Sequence, residues 1–325
     1  MTVILNDPGL VVLGGNTGAP AQEFHPGLIT GMMLVDKDKT FTITTVATFI
    51  TDVQALCLAG LSTRAYPIYG IVALEPKTAE ISVIEKGYGG EQFGPDPKYK
   101  FLFELGAGGL FYQNQLAEFN NDHSKRVIFF DNKNNVYGVK TGNTTMKGVG
   151  IENFKVYQVD WPSAKDKPPT YRLYIGLSDP ADLNANIAVF NLGTSPESNF
   201  QGLQNIEMYD LGAGSATKKQ VIGIRTILDK QSLYGAFSAT LVSAFATIFT
   251  ATLGGAAANP VAAVGKPLAG VRTPPEGGVE LEFGATGVHI ITMANPATLS
   301  ATPNFIGVAP DNGFECLNTL SVTVA

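Results

Sequence analysis

Side chains able to do chemistry are few and scattered in this chain. The three histidines, His25, His123 and His289, each stand apart from any His, Cys or acidic cluster at metal-ligand spacing, so no zinc-type pattern is present. His25 sits beside Pro26 and His123 lies in the polar stretch 120–125. His289 alternates within an apolar run, where a core or interface histidine is a simpler reading than a base. Asp36-Lys37-Asp38-Lys39 opens like a calcium loop, but its sixth position is not Gly and Ala47 stands where the bidentate Glu belongs, so it reads as a turn. The run Gly212-Ala213-Gly214-Ser215-Ala216-Thr217-Lys218-Lys219 resembles a phosphate loop only loosely, lacking the Gly before Lys and the hydroxyl after it. Gly106-Ala107-Gly108-Gly109 ahead of a helical stretch is equally weak, because glycine turns of this kind are common without nucleotides.

Paired carboxylates are the remaining route to catalysis. Glu280 and Glu282 alternate on one strand face, and Asp179 and Asp182 flank Pro180. Glycoside hydrolysis needs an acid and a base facing each other across a cleft, about 5–9.5 Å apart. Neighbours on one strand do not specify that geometry, so a solvated face is expected. Trp161, the single tryptophan, ends a strand before Pro162; core or interface packing is expected there rather than a sugar-stacking platform. No catalytic, cofactor-binding or metal residue is predicted, and the chain is expected not to be an enzyme.

Composition narrows the class. Asp, Glu, Lys and Arg make up 15% of the 325 residues while 45% are hydrophobic; ordinary soluble domains carry roughly 25% charge. A chain so poor in charge either hides much of its surface against neighbours or belongs to a weakly charged extracellular class, and the first is expected here. The net charge of −6 and pI near 5.1 argue against tight binding of polyanions through phosphate neutralisation. Cys57 and Cys316 form no disulfide framework and read as small buried hydrophobes of a chain folded in a reducing compartment. The opening MTVILNDPGLVVLGG lacks the basic leader of a secretory signal. Residues 231–265 contain no charged residue, yet Ser and Thr interrupt the apolar run and no basic flank marks a cytoplasmic side, so a buried helix followed by a strand is expected and no membrane span.

The elements that must position these residues are mostly strands. Residues 98–180 read as hairpin after hairpin, with short apolar runs punctuated by Asp131-Asn132-Lys133-Asn134-Asn135, Thr141-Gly142-Asn143 and Lys167-Pro168-Pro169. Ahead of them, residues 1–28 form an extended arm: Gly and Pro recur too often for a regular element, and Val11, Val12 and Leu13 supply sticky points. Helical spacing at Val46, Phe49, Ile50, Val53, Leu56 and Cys57 predicts a helix over 45–60, with Thr44 or Thr45 as cap and Gly60 as stop. Strands are predicted at 68–74 and 79–85, followed by a projecting Gly/Pro-rich loop over 87–97 that carries Tyr88 and Phe93; a shorter helix is predicted at 110–119. Strands at 206–211 and 220–227 are assigned to a first domain of residues 29–229, with the boundary near 228–231. Residues 230–325 start with a helical stripe at Leu233, Phe237, Leu241 and Phe245. Short extended runs follow, suggesting a small β-sandwich of immunoglobulin-like type. The fold class is therefore mainly β, with minor α.

The order FLFELGAGGLFYQNQLAEFNN, VIFFDNKNNVYGVK, MKGVGIENFKVYQVDW, YRLYIGLSDPADL and LYGAFSATLVSAF, with its immunoglobulin-like end, resembles virion proteins of tailed bacteriophages similar to tail-tube subunits. The resemblance is structural in kind and covers most of the chain. It implies a β-sandwich or barrel with one packed helix, an N-terminal arm and a long projecting loop, in a homo-oligomer of ring form, hexameric, that stacks into a conduit for phage DNA. Implied partners are the chain itself, other virion proteins and DNA in transient, non-specific passage; the implied location is the virion, after synthesis in the bacterial host cytoplasm. Subunit-interface candidates are Val11, Val12, Leu13, Tyr88 and Phe93. A capsid-decorating or receptor-binding phage surface protein would share the composition, whereas a β-rich hydrolase would need an acid–base pair the sequence does not display.

Overall fold

The computed structural model describes residues 27–325 apart from 61, 87–89, 107–108, 160–169, 228–229, 269–275, 294–296 and 299–312. The fold is mainly β. The chain divides into two units, Met1–Gln201 and Gly202–Ala325.

In chain order, the first unit contains β1 (Ile29–Asp36), β2 (Thr40–Thr42), α1 (Val46–Cys57), β3 (Tyr66–Tyr69), β4 (Ile71–Pro76), β5 (Val83–Lys86), β6 (Gly90–Phe93) and β7 (Lys100–Leu105). It continues with α2 (Gly109–Leu116), β8 (Lys125–Asp131), β9 (Asn135–Lys140), β10 (Thr145–Lys147), β11 (Val149–Val159), β12 (Thr170–Leu177), α3 (Ala181–Asn184), β13 (Ile187–Asn191) and α4 (Pro196–Asn199). β1 shows why the sheet has two buried faces. Met32 and Leu34 point one way and Met33 and Val35 the other, and all four are buried, as expected of a strand covered on both sides. Antiparallel pairings run β3–β1–β8–β11–β12–β7–β4. β3 and β4 are successive stretches parted at Gly70, whose φ of +78° an L side chain rarely adopts and whose carbonyl accepts from Gly106 N–H at 2.9 Å. The path thus returns on itself as a barrel, turning its corner along β11, which pairs with β8 at one end and, past a bulge, with β12 along the rest. The single strand expected over 68–74 is two strands for this reason.

Met32, Leu34, Ile68, Phe103, Val127, Val149, Phe154, Leu173 and Ile175 fill the interior, so the barrel is a packed core and encloses no channel. On the outer face α1 buries Phe49, Val53 and Cys57 against Met33, Val35, Ile128 and Phe130. Phe49 meets Phe190 edge-on at 5.0 Å and 87°. Each such ring contributes on the order of 1.5–3 kcal/mol. Thr45 and Thr48 form a reciprocal capping box at the start of α1. The helix ends at Leu58, with ordinary negative φ, and not at Gly60 as expected.

The second unit contains β14 (Gln204–Ala213), β15 (Lys219–Thr226), α5 (Tyr234–Ser243), α6 (Phe245–Ile248), β16 (Phe249–Leu253), β17 (Ala256–Ala257) and β18 (Ala262–Pro267). It ends with β19 (Gly277–Glu282), β20 (Gly287–Met293), β21 (Ala297–Thr298), β22 (Gly313–Cys316) and β23 (Leu320–Val324). A six-stranded sheet, β18-β19-β15-β14-β22-β21, and a four-stranded sheet, β17-β16-β20-β23, share one core. All pairs are antiparallel except β14 with β22. Ile206, Ile222, Val279 and Leu281 belong to this core with Phe249, Ile291 and Val322, and α5 adds Leu233, Phe237 and Leu241.

The boundary expected near 228–231 is corrected to Gln201/Gly202. β14 and β15 hold the middle of the six-stranded sheet, and their Ile206, Met208, Ile222 and Ile224 are buried in the second core, so the domain expected as 230–325 would lack two central strands. Of the arm expected over 1–28, only Gly27 and Leu28 are described.

Candidate functional site

The region expected as a projecting loop is partly a hairpin. Among the described residues β5 and β6 pair only with each other, with Val83 opposite Phe93 and Ile84 opposite Gln92. An isolated two-stranded ribbon is marginal in water, yet this one exposes Ile81, Val83, Ile84 and Phe93, the last at 66%. Val83 and Phe93 stand opposite each other on one face of the ribbon and Ile84 lies on the other face, with Ile81 just ahead of β5; exposed apolar surface of this kind is disfavoured by water. The neighbours Ile81, Val83 and Ile84 escape a sequence reading that treats 79–85 as an ordinary sheet strand; the available signal is the apolar run at Val83-Ile84 facing Phe93 across the glycines near 89–90. Phe93 is exposed on β6. Tyr88 and Val11, Val12 and Leu13 lie outside the described residues.

A second feature fixes the start of the described chain. Asp131, at the end of β8, is 1% exposed and accepts five hydrogen bonds: from Lys133 N and Asn135 N at 2.8 Å, Asn135 Nδ2 at 2.8 Å, Tyr137 Oη at 2.6 Å and Gly27 N at 2.8 Å. Leu28 N donates to Asn132 Oδ1 at 3.0 Å and its carbonyl accepts from Asn132 N at 2.9 Å. A Cβ at Gly27 would collide with Asn132 Oδ1, so only glycine allows this approach. Burial pushes the Asp131 carboxyl up, but hydrogen bonds from Tyr137, Asn135 and Gly27 outweigh it and hold the group below the ordinary carboxylate range. Burial and the Asp131 charge push the Tyr137 phenol up. Beside the clamp lies a cleft of about 130 Å³ lined by Thr30, Tyr69, Asn132, Asn134, Pro196 and Glu197. Gly27 is therefore held at a fixed point beside the end of β8. Sequence reasoning sees the 131–135 run as a turn, which it is, with Asn134 at φ +65°, but not the clamp on Gly27.

The other candidates are structural. Glu280, expected on a solvated face, is 3% exposed. Its carboxylate accepts from Ser215 N at 2.6 Å and Ser215 Oγ at 2.9 Å, with Lys266 Nζ at 3.4 Å and Lys219 Nζ at 3.7 Å. Desolvation opposes the charge, but the Ser215 and Lys266 interactions prevail and keep the group ionised below the usual range. The glycine-rich turn at 212–215 thus does hold an anion, namely this carboxylate. Lysines arriving from β15 and the far strand β18 make the burial possible, and strand order is invisible in sequence. Glu282 remains half-exposed and meets Lys219 at 3.4 Å. Asp179 accepts from Ala181 N, and Asp182 from Gly150 N at 3.0 Å, so this pair ties backbone. Asp36 caps its own turn through Asp38 N, as expected.

His289 is fully buried beside Phe283, 4.4 Å between ring centroids; Nδ1 lies 3.2 Å from the Gly287 carbonyl and Nε2 has no partner in the structure. His123 is exposed on its loop. Cys57 and Cys316 are free and buried, each in the core of its own unit, and burial pushes the Cys57 thiol up to about 12. His25 and Trp161 lie outside the described residues. Among the described residues no group of three or more His, Cys, Asp or Glu is arranged to hold a metal ion, and no helix is long and apolar enough to cross a membrane. Comparison with protein-family models and with curated proteins finds no match.

Proposed function

We propose that this chain is a structural virion protein of a tailed phage, a tail-tube subunit that self-assembles into stacked rings around a DNA conduit. The observation that carries the reading is the β5–β6 hairpin, a ribbon paired, among the described residues, only with itself and carrying exposed Val83, Ile84 and Phe93. Such a ribbon gains stability when another surface covers it. Three further features support the reading. A barrel with one capped helix on its face forms the body of the first unit. Its interior is filled, so a conduit runs between copies and not through one. The net charge of −6 lets DNA pass without being held. In this reading the partners are further copies in a hexameric ring and other virion proteins, and the chain performs no reaction.

Negative-stain electron microscopy of the purified full chain tests the reading, with sedimentation at micromolar concentration alongside. Rings or tubes are expected. Monomers at every salt concentration, even with virion partners or a nucleating complex added, overturn it. Trimers or isolated surface copies move the assignment to a capsid-decorating or receptor-binding protein.

A further inference from the structure

The hairpin of β11 and β12 has an inner and an outer side of different chemistry. Phe154, Val156, Leu173 and Ile175 are buried in the barrel interior, so alternation turns Lys155, Tyr157, Arg172 and Tyr174 to the outside. Register sets Lys155 opposite Tyr174 and Tyr157 opposite Arg172, so each of two successive rows holds one ring and one cation. Tyr157 is 37% exposed and Lys155 is exposed with it. Among the described residues neither Lys155 nor Arg172 forms an ion pair; Glu104 stands opposite Arg172 on β7 without bonding to it.

The β5–β6 ribbon carries the complement of this face. Residues 80–93 contain Glu80, Glu85 and Glu91 against a single lysine, Lys86. Glu91 lies two residues from Phe93 on β6 and so shares a side with Phe93 and Val83, placing an exposed carboxylate beside an exposed apolar row. Among the described residues Glu91 also forms no ion pair. Ribbon and face are each two strands wide, with successive rows about 7 Å apart on either. Both are exposed in the same chain, so a chain does not cover its own face with its own ribbon.

We propose that the β5–β6 ribbon of one copy docks on the β11–β12 face of another, laying Val83 and Phe93 on the rings of Tyr157 and Tyr174 and bringing Glu91 to Lys155 and Arg172. Charge complementarity selects the occupant. Copies bearing −6 repel one another over most of their surface, but here an unpaired carboxylate approaches unpaired cations. The rings give the apolar row a partner at little cost in side-chain freedom. A single-stranded nucleic acid would also stack on rings beside cations. Two cations next to Glu104, on an acidic chain, offer it little phosphate neutralisation, whereas the ribbon supplies the apolar row and the charge together. Each copy gives a ribbon and receives one, so the contact is heterologous and closes into a ring when its rotation allows. The proposal rests on the reading of the ribbon as a subunit contact and adds the surface that receives it.

Charge reversal in the full-length chain tests it. By sedimentation at micromolar concentration, Lys155→Glu and Glu91→Lys are each expected to weaken association about tenfold or more, with an unchanged thermal transition, and the double variant to recover most of the loss. Unaltered association, or a double variant no better than the singles, overturns the proposal. The second arm mixes Val83→Cys chains with chains carrying Asn153→Cys, exposed on β11 beside the face; the native Cys57 and Cys316 are buried. A short bismaleimide is expected to join this pair at least about tenfold faster than Val83→Cys with Val261→Cys, which is exposed in the second unit. Equal rates overturn the proposal. Labelled oligothymidylate that binds the wild type and is lost from Lys155→Glu, with association unchanged, gives the face to single-stranded nucleic acid and also overturns it. Rings that survive Lys155→Glu remove this contact and leave the tail-tube reading. Open chains or pairs sensitive to the reversal, with no rings, remove the tail-tube reading and leave the contact.

Discussion

Among the described residues each unit buries one carboxylate, and the two are held in opposite ways. Asp131 is surrounded by neutral donors, four of them from residues 133–137 and the fifth from Gly27. Glu280 is held by Ser215 and by lysines from strands on either side of its own sheet position. The first arrangement is dipolar and almost entirely local, fastening one hairpin turn and the chain that reaches it. The second is partly Coulombic and depends on sheet order. A buried charge in this molecule thus marks a fastened turn, and what fastens it tells whether the turn is closed by its own sequence or by the fold around it.

The largest expected effect separates the units themselves. A fragment of residues 202–325 is expected to unfold in one cooperative thermal transition, whereas residues 229–325, lacking β14 and β15, are expected to show none. Circular dichroism on both fragments decides it; two equal transitions would return the boundary to 228–231.

Next come the carboxylates. Asp131→Ala leaves three backbone N–H groups, an amide and a phenol without their acceptor, and is expected to destabilise the first unit by about 3 kcal/mol. Glu280→Ala is expected to cost the second unit about 2 kcal/mol, because Lys219 and Lys266 can turn to solvent. Moderate salt is expected to shrink the Glu280 effect and spare the Asp131 effect. Both carboxyls titrate below their ordinary value in the fold, so their contribution is complete above the unfolded value of about 4 and is lost as pH falls through the lowered folded value. Each variant is therefore expected to melt below the wild type at neutral pH and to converge on it in acid. A gap that persists at the lowest pH would assign the loss to packing instead.

The smallest effect on stability is expected at the hairpin. Phe93→Ser removes an exposed ring and should shift unit stability by less than about 0.5 kcal/mol, while reducing the fraction of chains in rings or tubes seen by microscopy. Unchanged assembly would take the hairpin out of the subunit contact.

Several elements were legible without the structure because their signals are local. The 3.6-residue spacing from Val46 to Cys57 and the cap at Thr45 specify α1. The Asp131–Asn135 run specifies the β8–β9 turn, and alternation specifies β20 and β23 nearly to the residue. Tertiary structure decided the rest. Period tells which side of a strand is apolar, not which strand lies beside it, so the transfer of β14 and β15 to the second unit, the burial of Glu280 and the Gly27 clamp all depended on partners far away in sequence. The uncharged composition of β16, β20 and β23 was written in the sequence. That they adjoin one another, and so form one uncharged face, was settled only by sheet order, because hydrogen-bonded pairing between distant segments is chosen by the whole core and not by either strand alone.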